Sequence, residues 1–77
     1  MARVSDRTLD RELQKIKQET GLLLEFGSAS GYTWIEIEVE GGGTKRFSED
    51  YRSNSDLLSW MHAYMQGWRM RGEAQYG

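Results

Sequence analysis

The sequence predicts a small α+β domain with the element order α-β-β-β-α, and three patterns in it carry that prediction. Residues 6–20 place Leu9, Leu13 and Ile16 at helical spacing among charged residues. Residues 32–40 alternate like a strand and run into Gly41-Gly42-Gly43. Residues 55–70 place Leu57, Met61, Tyr64, Met65 and Trp68 on one broad helical stripe.

Each element has local signals. Ser5 or Asp6 can cap the first helix, and Gly21 suits the left-handed residue that ends it. Its narrow stripe leaves most of the helix facing water. Leu22 to Phe26 reads as the first strand, with Gly27-Ser28-Ala29-Ser30-Gly31 a loop by composition. In the second strand Ile35, Ile37 and Val39 share one face, and Tyr32, Trp34, Glu36, Glu38 and Glu40 the other. The glycine triplet reads as a three-residue hairpin turn, which pairs Ile37 with Phe47 and Glu38 with Arg46 in a third strand over 44–47. Ser53-x-x-Asp56 resembles a capping box before the second helix, with Leu58 and Trp60 flanking its stripe. Gly67 inside that helix implies close packing or an early end, and residues 71–77 read as a frayed tail. The strands form an antiparallel meander, with the second helix on one face and the first at an edge or on that same face.

Seventy-seven residues make one domain near the lower size limit for folding alone, so nearly every large apolar side chain is needed in the core. The chain has no cysteine and one histidine, His62, which excludes a disulfide and argues against a structural zinc. No apolar run approaches the length of a membrane span, and Met1 to Arg7 lacks the apolar block of a secretion signal. A cytoplasmic protein is expected. Net charge is −2, but residues 21–56 hold seven acids against three bases, while both flanks lean basic.

Catalysis finds little support. No cysteine nucleophile exists, His62 has no neighbouring carboxylate in a triad pattern, and the glycine triplet lacks the lysine-serine of a phosphate loop. No catalytic residue, metal or cofactor is expected. Glu36, Glu38 and Glu40 recur at every second residue, so a strand aligns their carboxylates about 6.8 Å apart. Glu25 can join them from the neighbouring strand. Such a row either keeps a sheet face solvated or substitutes for phosphates in a basic groove. Tyr32 and Trp34 lie on the same face and have the character of interface anchors, unless the first helix covers them. Glu49 and Asp50 extend the acidic set. A separate basic set, Arg3, Arg7, Arg11, Arg69 and Arg71, defines an alternative nucleic-acid-binding reading. Arg69 and Arg71 also suit a helix C-terminus, and Asp6 and Asp10 offset the other three.

Leu13-Gln14-Lys15-Ile16-Lys17-Gln18-Glu19-Thr20-Gly21, the tyrosine-tryptophan strand with its glycine turn, and Ser55-Asp56-Leu57-Leu58 through Tyr64-Met65-Gln66-Gly67-Trp68 resemble small phage and prophage proteins. The order of elements and the closing aromatic-x-x-Gly-Trp segment are also similar to the small phage anti-CRISPR proteins that inhibit Cas9. That resemblance implies a host-protein partner, bound where it reads DNA. By general position Glu36, Glu38, Glu40, Glu49 and Asp50 correspond to the acidic residues of that family. The expected function is therefore a phage-type modulator of a host protein, with Tyr32 and Trp34 as anchors. The alternatives are a nucleic-acid-binding module and a homo-oligomeric phage structural or assembly component, in which a homodimer uses the aromatic patch.

Overall fold

The first helix, α1 (Asp6–Thr20), begins where Ser5 accepts a hydrogen bond from the Thr8 amide. It ends at Gly21, whose φ of 75° lets its N–H reach the Lys17 carbonyl at 2.8 Å. The computed structural model describes the backbone of residues 4–76 and the side chains of residues 4–72. Three antiparallel strands follow, β1 (Leu24–Ala29), β2 (Tyr32–Glu38) and β3 (Thr44–Arg46), in the spatial order β1-β2-β3. A second helix, α2 (Asn54–Tyr76), follows. This is the predicted α-β-β-β-α domain.

Both helices pack on one face of the sheet. Leu24 and Ile35 point to that face, where they meet Leu9, Leu13 and Ile16 of α1 and Leu57, Met61 and Met65 of α2. Ile35, Leu57 and Met61 are fully enclosed. Phe47 adds edge-on contacts to Trp60 and Tyr64, which stack on each other with centroids 5.4 Å apart. The helices run side by side in the same direction, since Asn54 meets Val4 and Asp6 at one end and Arg69 meets Glu19 at the other. The molecule is accordingly thin, about 18 Å in its shortest dimension. Among the described residues, neither helix packs on the opposite sheet face.

Several boundaries differ from the sequence expectation; the first strand begins at Leu24 rather than Leu22, after the Leu22 N–H has bonded the Thr20 hydroxyl at 3.2 Å. β1 extends to Ala29, because Gly27 is a strand residue and the turn is only Ser30-Gly31, with φ of 54° and 80°. That turn, with positive φ at both positions, matches the twist of a tight hairpin. β2 stops at Glu38, so Glu40 sits in the next turn, outside the carboxylate row. That turn has the expected three residues but starts at Glu40: the Val39 N–H bonds the Gly43 carbonyl at 3.1 Å. The register therefore pairs Glu36 with Arg46 and Ile37 with Lys45, not Glu38 with Arg46 or Ile37 with Phe47. Phe47 instead bonds Ile35, and Ser48 follows as a bulge. Buried Ser48 receives the Ile35 N–H on its hydroxyl at 2.8 Å, so a residue that reads as a polar connection completes the core.

α2 begins near the expected place, with the Ser53 hydroxyl accepting from the Asp56 amide. It continues through Tyr76, so residues 71–76 are helical rather than a tail. Gly67 neither ends the helix nor accommodates a close neighbour; a Cβ there meets open space. Gly67→Ala is therefore expected to stabilise the domain by about 0.5–1 kcal/mol, read from denaturant unfolding.

Candidate functional site

The uncovered sheet face is assembled from alternate residues of three strands. Leu23 and Glu25 lie on it, as does Gly27, beside Trp34, Glu36 and Glu38 of β2 and Thr44 and Arg46 of β3. Tyr32 stands at the hairpin end. The face has two chemically distinct halves.

One half is aromatic and cationic. Trp34 lies across from Gly27, and its indole occupies the space that a Cβ on residue 27 would take. Its Nε1 donates to Glu36 Oε1 at 2.8 Å, and the Arg46 guanidinium sits 4.0 Å from its ring centroid. Arg46 is also ion-paired with Asp50. Arg52 lies 4.8 Å from the Tyr32 centroid. The segment carrying these groups is held beside β2 by the two backbone bonds between Thr33 and Tyr51, each 2.8 Å. Burial, reinforced by nearby Glu49, pushes the Tyr51 phenol above its ordinary value.

The other half is acidic and apolar. Glu25 faces Glu36 directly, and Glu38 is exposed next to them. Glu36 is half-buried with both oxygens engaged, since Thr44 donates to Oε2 at 3.1 Å. Among the described residues none of these three carboxylates forms an ion pair. Leu23 is 61% exposed and lines a small concavity with Glu25, Glu38 and Lys17. An apolar knob flanked by two carboxylates is suited to a basic surface that also offers an apolar socket.

The structure brings Tyr32, Trp34, Glu36 and Glu38 together and places Asp50 at the same end through Arg46. Glu40 and Glu49 are exposed on connections beside the sheet. Two contributors had no clear signal in the sequence, Gly27, which admits the indole, and Arg52, which covers the Tyr32 ring; Arg46, expected opposite Glu38, pairs in register with Glu36 and covers Trp34 instead.

The alternative basic set is dispersed. Arg7 and Arg11 lie toward the start of α1, Arg69 and Arg71 toward the far end of α2, and Arg3 lies outside the described residues. Arg69 is occupied: it donates to both Glu19 oxygens at 3.1 and 2.9 Å. These bonds, reinforced by the Arg69 charge, lower Glu19 from its ordinary value and raise Arg69 further. Because the folded value of Glu19 is depressed, the pair supports folding above the unfolded carboxylate pKa and loses that support as pH falls through the folded value. Arg69→Gln is expected to move the Glu19 titration upward, read by carboxyl NMR, with a small stability change because the pair is exposed to solvent and salt.

Between the helices, Glu12, Lys15, Glu19, His62 and Arg69 rim a cleft of about 440 Å³ over Ile16 and Met65. Glu12 is shared there between Lys15 at 3.2 Å and His62 at 3.6 Å. Among the described residues no three His, Asp or Glu side chains gather as metal ligands, and no helix is long and apolar enough to cross a membrane.

Fold and site together define a two-layer α+β domain with one uncovered, two-toned sheet face. The chain matches no family model, and comparison with curated proteins and with solved structures gives no match.

Proposed function

We propose that this protein acts by binding, and that the uncovered sheet face engages a basic surface of a partner protein. The observation that supports this reading is the placement of both helices on one face of the sheet, which leaves Leu23, Glu25, Glu36, Glu38 and Trp34 together on the other. The glutamates supply the field and Leu23 and Trp34 the desolvated anchors. Trp34 is already fixed by Gly27, Glu36 and Arg46, so little side-chain freedom is lost when a partner covers it. The resemblance to phage anti-CRISPR proteins extends the reading to inhibition of a host nucleic-acid-handling complex such as a CRISPR effector. That extension rests on the sequence pattern.

Glu36 holds the indole, so the cleaner charge reversal is Glu25→Lys with Glu38→Lys, both exposed. Immobilised protein is exposed to host lysate with and without competing duplex DNA. Capture of a nucleic-acid-binding protein is expected, displaced by DNA and weakened at least about tenfold by the double reversal. Arg7→Glu with Arg11→Glu is expected to leave it intact. Capture that survives the glutamate reversal, or direct retention of DNA by the protein, contradicts the reading.

A further inference from the structure

We infer that the free edge of β1 pairs with the β1 edge of a second copy, giving one continuous six-stranded sheet. The ladder shows which groups are available. The Glu38 N–H bonds the Leu23 carbonyl at 2.9 Å, and the register pairs Glu25 with Glu36 and Gly27 with Trp34. Odd-numbered residues of β1 thus turn their backbone groups toward β2. Leu24, Phe26 and Ser28 turn theirs outward, and no bond from them to another described segment appears. An edge of six residues is normally protected by lysine, proline or a bulge. β1 reads Leu-Glu-Phe-Gly-Ser-Ala: its one charge, Glu25, stands on the outer sheet face, and it has no lysine, proline or bulge.

The occupant follows from self-complementarity. A two-fold axis through Phe26 sets Leu24 against the second copy's Ser28, and Glu25 against its Gly27. No like charges then face each other directly. The two Phe26 rings meet at the axis, on the helix side of the sheet. A cleft of about 450 Å³ opens there between Phe26 and Leu9, rimmed by Asp6, Arg7 and Asp10. In the pair, the second copy's Phe26 ring is set at the mouth of that cleft. The edge is short, so the dimer is concentration-dependent rather than permanent. This inference stands apart from the outer-face reading: edge pairing leaves that face uncovered and sets two of them side by side.

Sedimentation of the full chain across a dilution series tests it, together with amide exchange. A reversible dimer is expected, with the Leu24, Phe26 and Ser28 amides protected in concentrated samples and exposed in dilute ones. Ser28→Pro removes an outward N–H without touching the β1–β2 ladder, and it is expected to give a monomer with an unchanged circular dichroism spectrum. A chain that stays monomeric, or a dimer without protection of those three amides, overturns the inference. So does a dimer that survives Ser28→Pro, or one broken only by Glu25→Lys with Glu38→Lys, which indicates face-to-face association instead.

Discussion

Leu57→Ala is expected to leave most of the chain unfolded at room temperature. Leu57 is fully enclosed where α2 meets the sheet and α1, among Leu9, Leu13, Ile35 and Met61. Truncating such a leucine costs about 2–5 kcal/mol, through lost transfer energy plus the residual cavity. A core of this size contributes only about 3–5 kcal/mol in total. No disulfide is present to offset the loss. Urea unfolding followed by circular dichroism checks the expectation. Leu23→Ala is the control: that side chain is 61% exposed, and its removal is expected to change stability by less than about 0.5 kcal/mol. A folded Leu57→Ala protein with a near-native midpoint contradicts the packing described.

Gly27→Val is expected to dismantle the aromatic half of the outer face while sparing the fold. A Cβ at residue 27 falls 2.4 Å from Trp34 Nε1 and 2.6 Å from Glu36 Oε1, closer than real contacts allow. The indole must move. It then gives up its bond to Glu36 and its place under Arg46. Valine suits a strand better than glycine, which offsets part of the lost interactions, so the net stability change is expected to stay within about 1–2 kcal/mol. Partner affinity is expected to fall at least about tenfold, the loss of one anchor. The Trp34 indole N–H resonance reports the displacement, and a capture assay reports the affinity. An unshifted resonance contradicts the assigned seat of the indole.

The two helices and their caps were legible because they depend on neighbours in the chain. Leu9, Leu13 and Ile16 fix a stripe by spacing alone, and Gly21 and Ser53 act where their positions indicate. The fold class followed from these and from the alternation through Trp34, Ile35 and Glu36. What escaped depends on contacts made across strands. Gly27 reads as loop by composition, yet its reason is an indole on the next strand. The β2–β3 turn had the right length but was displaced by one residue. Phe47 has to meet Trp60 and Tyr64, and Ser48 has to reach the Ile35 amide, and neither partner is local. The candidate face was legible in its parity: Tyr32, Trp34, Glu36 and Glu38 do share it. Its balance of charge was not. Glu36 was expected in a solvated row and is instead hydrogen-bonded on both oxygens, while Arg46 spends its charge on Trp34 and Asp50 rather than on Glu38.

The most direct test of the account is a map of the bound surface. Isotope-labelled protein is titrated with its captured partner and followed by amide and indole NMR. Shifts and broadening concentrated on Leu23, Glu25, Gly27, Trp34, Glu36, Glu38 and Arg46 are the predicted result. A footprint on the outward sides of α1 and α2, with those seven residues unperturbed, contradicts it.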